Sequence, residues 1–237
     1  MKVLGVIPSR YQSSRFPGKP LANILGKSMI QRVYEQCMKC PLLNDVIIAT
    51  DDDRILNHVQ DFDGKAIMTS VNHASGTERC NEILQNINQD YDITVNIQGD
   101  EPYINPNQIT QVINLLYNST TEITTLARQI NDIDLIHDIN TPKTIFDKNG
   151  FALDFCRQIS DFSSEKTYYQ HIGIYAYQTH ILPKLCELAP TKKEKQEALE
   201  QLRWLENDYT VKVGITVFKS FSVDIPDDII QIEARMR

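Results

Sequence analysis

Four short apolar runs, rich in β-branched residues and each stopped abruptly, constrain this chain more than any other feature. Residues 3–7 end at Pro8, residues 45–50 at Asp51-Asp-Asp53, residues 65–68 at Thr69, and residues 92–98 at Gly99-Asp-Glu-Pro102. Runs of this length bounded by turn residues read as buried strands. Between the first two, residues 28–39 return Met29, Ile30, Val33 and Cys37 to one helical face, with Ser28 as N-cap. Ile55, Leu56 and Val59 mark a second, shorter helix. This β-α-β-α-β alternation implies a parallel sheet covered by helices, with right-handed crossovers.

The stretch after the first strand, Pro8-Ser-Arg-Tyr-Gln-Ser-Ser-Arg-Phe-Pro-Gly-Lys-Pro20, is a cationic loop. Its Ser, Pro and Gly residues exclude regular structure, so Arg10, Arg15 and Lys19 project beyond the carboxyl end of a strand. Open α/β sheets bind ligands at that edge. Such a loop suits a polyphosphate: Arg offers a planar fork, Lys a point charge, and Gly lets backbone N–H groups approach. A solvated basic loop is the alternative. Neither a Walker pattern nor Gly-x-Gly-x-x-Gly follows the strand, so a P-loop or dinucleotide enzyme is not supported.

Three further stretches stand at the same presumed edge. Ser75-Gly-Thr-Glu78 matches a capping box, and the N–H groups it leaves at Gly76 suit either a helix start or a ligand. Asp100 and Glu101 follow a strand end and precede a proline, a placement for holding Mg²⁺ by one or two oxygens alongside phosphates, or for an acidic turn. Asp224 opens the terminal helix and reads as a cap, a metal ligand, or both.

Asn105-Pro106 starts a helix whose Ile109, Val112, Ile113 and Leu116 form its buried face. From about residue 122 the pattern changes to strands at 123–130, 144–146, 151–156 and 171–177, with an irregular stretch after residue 130. No linker marks the change. It reads as a smaller lobe, about 121–194, inserted on a core of about 1–120 and 195–237. Residues 193–206 then form a charged helix, 211–218 a strand, and 223–236 lead into a terminal helix.

A formal charge of −7, from 24 Lys and Arg against 31 Asp and Glu, excludes broad nucleic-acid or anionic-membrane binding, so the anion site is local. No apolar run approaches a membrane span, and no signal peptide precedes the first strand, which points to the cytoplasm. Five scattered cysteines imply free thiols; Cys37-Met-Lys-Cys40 has redox spacing but ends a helix where a redox motif opens one.

In register along the chain, Pro8-Ser-Arg10, Ser14-Arg-Phe-Pro-Gly-Lys-Pro20, Ala49-Thr-Asp51, Ser75-Gly-Thr-Glu-Arg79, Asn96-Ile-Gln-Gly-Asp-Glu-Pro102, His171-Ile-Gly-Ile-Tyr175, Leu199-Glu-Gln-Leu-Arg203 and Val223-Asp-Ile-Pro226 resemble the motifs of the 3-deoxy-manno-octulosonate (Kdo) cytidylyltransferases, the CMP-Kdo synthetases. The resemblance implies a Rossmann-like α/β fold of the nucleotide-diphospho-sugar transferase type, with a smaller inserted dimerisation lobe. It implies that Arg10, Arg15 and Lys19 hold the CTP triphosphate, that Gly76, Thr77 and Arg79 frame cytosine and ribose, and that Asp100 and Asp224 hold Mg²⁺. Lys19, Asp100 and Arg15 take the catalytic roles. Gln98, Arg157, His171, Tyr175, Glu200 and Gln201 meet the sugar acid. A cytoplasmic homodimer feeding lipopolysaccharide assembly follows from the same likeness.

The departures fall in the sugar half. Ala152-Leu-Asp-Phe-Cys-Arg157 carries Asp154 where the family has an aromatic residue and Cys156 where it has Ser; Gln158-Ile-Ser-Asp161 lacks the family's proline. They leave open the 8-amino analogue of Kdo or another sugar acid. Asp154 either meets a substrate amine or faces outward beside a buried Leu153 and Phe155. A nucleotide-binding subunit without catalysis is the alternative from another class.

Overall fold

The computed structural model describes residues 1–13, 15–118, 120–159, 162–163 and 165–236. Ser14 of the cationic loop and Asp161 of the divergent segment lie outside them. The chain forms two compact units, Met1–Thr110 with Ser220–Arg237, and Gln111–Lys219.

The first unit is the β-α-β alternation read from the sequence. Its elements are β1 (Val3–Ser9), a two-strand ribbon β2 (Asn23–Ile24) and β3 (Lys27–Ser28), α1 (Met29–Cys37), β4 (Asp45–Thr50), α2 (Asp53–Gln60), β5 (Ala66–Met68), α3 (Gly76–Asn86), β6 (Ile93–Asn96) and the start of α4 (Pro106–Tyr117). Within this unit the strands pair in the order β6-β1-β4-β5, all parallel. Val3, Leu4, Val6, Ile7, Ile48, Ile93 and Val95 are fully or almost fully buried, as strands covered on both faces require. The helices begin where their caps dictate: Ser28 accepts the Gln31 N–H, and Asp52 that of Arg54.

In the second unit come β7 (Ile123–Ile130), α5 (Ile133–His137), β8 (Lys143–Phe146), β9 (Ala152–Cys156), β10 (Tyr168–Gln178), α6 (Leu182–Glu187), α7 (Lys192–Glu197), α8 (Gln201–Leu205) and β11 (Val211–Ile215). β11 runs parallel to β7, β7 antiparallel to β10, and β8 antiparallel to both β10 and β9. The chain ends in α9 (Pro226–Met236), which belongs to the first unit. There Ile232, with Ile24, Met29 and Val223, forms a small cluster against Phe16 and Tyr103. Among the described residues no helix is long and apolar enough to cross a membrane.

The second unit reaches to residue 219 and takes in β11, which pairs with β7. Several local expectations change. The single helix expected over 193–206 is two, broken at Ala198 with φ 51°. Two arginines account for the break. Arg157 Nε donates to the Glu197 carbonyl at 2.6 Å, and buried Arg203 forms a two-pronged pair with Glu194 at 2.8 and 2.6 Å while donating to the Leu188 carbonyl. The irregular stretch after residue 130 contains α5, capped by Asp132. Leu153 is exposed, not buried: Ile145 faces Asp154 and Phe146 faces Ala152, so Leu153 is the extra residue of a β-bulge.

Candidate active site

Arg10, Arg15, Lys19, Arg79, Asp100 and Asp224 line one cleft of about 300 Å³ in the first unit, whereas Glu101 is buried outside it with its carboxylate accepting from the Ser220 hydroxyl. Arg10, Arg15 and Lys19 come from the loop after β1; Gly76 and Arg79 from the start of α3; Gln98 and Asp100 from the turn after β6; and Asp224 from the approach to α9. Thr77 is instead buried within α3.

The turns that deliver these groups are sterically fixed. Gly18 sits at φ 72°, and a Cβ there would lie 3.0 Å from the Tyr11 hydroxyl oxygen. The Gly18 N–H donates to the Tyr11 carbonyl at 2.9 Å and closes the cationic loop. At Gly99 a Cβ would come within 2.7 Å of the Pro8 carbonyl oxygen, so the turn carrying Asp100 approaches β1 only because a glycine stands there. Ser75 accepts the Glu78 N–H as expected of an N-cap, while the Glu78 carboxylate bonds the Ala74 N–H at 2.7 Å.

Opposite charges meet in the cleft. Lys19 Nζ donates to Asp100 Oδ2 at 2.7 Å and to the Val223 carbonyl at 2.8 Å, leaving one N–H. Arg15 Nη2 donates to Asp224 Oδ1 at 2.8 Å. The Val223 N–H bonds the Asp100 carbonyl at 2.9 Å, which ties the segment before Asp224 to Asp100. At the start of α9, Asp228 Oδ2 accepts the N–H groups of Asp224 and Ile225. Two carboxylates beside basic side chains offer the hard oxygens that suit Mg²⁺, which takes one or two carboxylates and completes its shell with phosphate and water.

Sequence reasoning gave no role to Ser9, Ser13 or His73, which also line the cleft. Ser9 Oγ is buried with no hydrogen-bond partner among the described residues. Its place in Pro8-Ser-Arg10 was the available signal. His73 stands between Glu78 and Glu82, its Nδ1 3.4 Å from Glu78 and its Nε2 bonded to Glu82.

The residues assigned to the sugar acid divide by unit. Gln98 belongs to the first; Arg157, His171, Tyr175, Glu200 and Gln201 belong to the second. His171 is buried with Nε2 3.0 Å from Thr125 Oγ1, its ring edge-on to Phe155, and burial lowers its pKa to about 3. It is therefore a neutral imidazole. Its ring lies 5.5 Å from that of Tyr175, which also packs edge-on against Trp204. Burial first, and the Glu200 carboxylate second, raise the Tyr175 pKa. Gln201 Nε2 and Trp204 Nε1 are buried without hydrogen-bond partners among the described residues. Arg157 spends its guanidinium on the carbonyls of Ile139, Glu197 and Ala198, the last two separated from Glu200 and Gln201 by Leu199.

Asp154, the divergent carboxylate, has a partner of its own. Its Oδ1 accepts from Lys193 Nζ at 2.6 Å and from the Phe155 N–H at 2.7 Å. Cys156 beside it is half-buried, and burial raises its pKa, the opposite of an activated thiol. The buried Cys37 thiol is likewise pushed up by burial.

Comparisons with known proteins point to one family. Residues 4–213 match the cytidylyltransferase family profile. A 3-deoxy-manno-octulosonate cytidylyltransferase of Bacteroides thetaiotaomicron is 45% identical over 97% of this chain and 96% of its own length. An 8-amino-3,8-dideoxy-manno-octulosonate cytidylyltransferase of Shewanella halifaxensis is 44% identical over 100% and 99%. A solved structure of CMP:2-keto-3-deoxy-manno-octonic acid synthetase complexed with CTP superposes with a TM-score of 0.93 at 35% identity, covering 100% of this chain and 98% of its own. That structure and this one share a mostly parallel sheet flanked by helices. A cleft of converging cations and paired carboxylates, on a chain matched along almost its whole length, has one reading: the protein belongs to the cytidylyltransferase family.

Proposed function

We propose that this chain joins CTP and Kdo to give CMP-Kdo and pyrophosphate, the activation of a sugar acid for lipopolysaccharide synthesis. The observation that carries the reading is the convergence of Arg10, Arg15 and Lys19 on Asp100 and Asp224 in one cleft of a cytidylyltransferase-family chain. Arg10, Arg15 and Lys19 bind the triphosphate; Gly76 and Arg79 frame the nucleoside, with Thr77 buried behind them. Asp100 and Asp224 are the residues that would hold Mg²⁺, whose chemistry when bound is to draw charge from the α-phosphate.

In the transfer, the anomeric oxygen of the sugar acid forms a bond to the α-phosphorus while the bond from phosphorus to the bridging oxygen of pyrophosphate breaks. The hydroxyl gives its proton to solvent water, and Arg15 and Lys19 offset the charge on the departing pyrophosphate. No covalent enzyme intermediate is required. Lys19 is oriented for this by its two acceptors, Asp100 and the Val223 carbonyl.

For the sugar acid, the orphaned Gln201 Nε2 and the neighbouring Glu200, Tyr175 and His171 support recognition by the second unit. Arg157 serves it by holding the turn that precedes Glu200. Gln98, which the family likeness gives to the sugar acid, lines the nucleotide cleft of the first unit. Kdo is preferred over its 8-amino analogue because Asp154, the one introduced carboxylate, is already paired with Lys193. The comparable identity to an 8-amino-sugar enzyme makes that analogue the second reading.

The lobe of about 121–194 makes a homodimer in this proposal, supported by exposed Ile145 and Leu153 on the β8–β9 pair. Five free cysteines fit a cytoplasmic location. The test is Mg²⁺-dependent pyrophosphate release from CTP with Kdo and 8-amino-Kdo side by side. Release favouring Kdo is expected; CTP binding without release for any sugar acid contradicts the transfer.

A further inference from the structure

Behind the nucleotide cleft, one buried carboxylate holds both of its walls. Asp51 follows the last residue of β4, and its side chain is only 9% exposed. Its Oδ1 accepts the Tyr11 N–H at 3.3 Å, and its Oδ2 accepts from Arg79 Nη2 at 2.6 Å. Asp51 is not part of the cleft lining.

The Tyr11 arm reaches the phosphate wall. The Tyr11 carbonyl closes the cationic loop through Gly18, and the Arg54 guanidinium lies 3.3 Å from the centre of the Tyr11 ring. The Arg79 arm reaches the nucleoside wall. Arg79 Nη1 donates to Thr69 Oγ1 at 2.7 Å and to the Ser70 carbonyl at 3.2 Å, so it also fixes the loop that leads to Ala74 and Gly76. A guanidinium with a side chain 4% exposed requires a countercharge, and Asp51 supplies it.

We propose that Asp51 is a positioning residue for CTP: by bonding Tyr11 and Arg79 through its two oxygens it sets the spacing between the loop that holds the phosphates and the helix start that holds the nucleoside. This rests on the CTP-transferase reading above. The geometry separates the two arms. Asp51→Asn keeps an amide oxygen for the Tyr11 N–H and removes the charge facing Arg79; Asp51→Ala removes both.

The experiment measures CTP affinity by calorimetry, with no sugar present, and then steady-state constants for CTP and the sugar acid. CTP affinity is expected to fall about tenfold in Asp51→Asn and about a hundredfold in Asp51→Ala, the range a displaced supporting contact produces. The KM for the sugar acid stays within about twofold of the wild type. In an Arg79→Gln background, Asp51→Asn adds less than about twofold, because the pair acts as one unit. A merely structural residue behaves otherwise: its loss lowers the folded fraction and hence the apparent kcat, and leaves CTP affinity at the wild-type value. Unchanged CTP affinity in folded Asp51→Asn, or full additivity with Arg79→Gln, overturns the proposal. Because calorimetry with CTP alone involves no sugar, failure of the sugar-transfer reading leaves wild-type binding intact and is told apart from failure here.

Discussion

Lys19 and Asp100, separated by 81 residues in sequence, meet at 2.7 Å in the cleft. The pair joins a cation of the proposed triphosphate site to a carboxylate proposed to hold the metal. Removing the carboxylate is expected to cost more than one ordinary contact. Asp100→Ala should lower kcat by about 10²–10³, as the loss of one transition-state group does. Product formation under saturating CTP checks this, with a thermal melt to show that the variant folds.

Gly99→Ala tests the close approach of the turn to β1. A Cβ 2.7 Å from the Pro8 carbonyl forces one of the two segments to move. The variant should lose about 1–3 kcal/mol of stability, read from urea unfolding, and its KM for CTP should rise because Asp100 moves with the turn.

His171 gives a pH dependence of definite sign. Burial holds its pKa at about 3, against about 6.5 in an unfolded chain. As pH falls below about 6.5 the unfolded state takes up a proton that the folded state refuses until about pH 3, so stability declines across that window, by about 2 kcal/mol at pH 5. In His171→Gln this part of the acid loss disappears. Urea midpoints at pH 7.5 and pH 5 for both proteins measure it.

The buried pair of Arg203 with Glu194 holds the break between α7 and α8. Their side chains are 7% and 12% exposed. Arg203→Ala leaves the Glu194 carboxylate with the Thr191 N–H but without its countercharge, removes a donor from the Leu188 carbonyl, and should destabilise the fold by about 3–5 kcal/mol. A conservative Arg203→Lys restores only part of this, since an ammonium does not span both carboxylate oxygens. Unfolding free energies of the two variants decide the point.

Asp154→Asn should leave the preference between Kdo and 8-amino-Kdo unchanged within about twofold, because its oxygen is committed to Lys193. Ratios of kcat/KM for the two sugars provide the check.

The nucleotide unit was legible because its information is local. β-branched runs marked β1, β4 and β6, and Ser28 and Ser75 cap their helices through their own side chains. The cleft followed from the edge where these strands end. What sequence did not reveal depends on distant partners. The break at Ala198 is held by Arg157, 41 residues away, and by Arg203 bonding back to Glu194. The bulge at Leu153 arises from the β8 register, against which period-2 reasoning on β9 alone buried the wrong residue. Asp154 found Lys193 across 39 residues, and Asp51 found Tyr11 across 40 and Arg79 across 28. Motif resemblance quoted Asp51 without a role, since its work is done on other residues and not on substrate.

The most direct test of the central claim is formation of the CMP-sugar from CTP and Kdo by the wild type and by Asp100→Asn, with CTP binding measured on the same samples. The account predicts Mg²⁺-dependent CMP-Kdo from the wild type, and an Asp100→Asn protein that is folded, still binds CTP and is slowed at least about a hundredfold. Equal rates in the two proteins, or CTP binding by the wild type with no CMP-sugar formed, would contradict it.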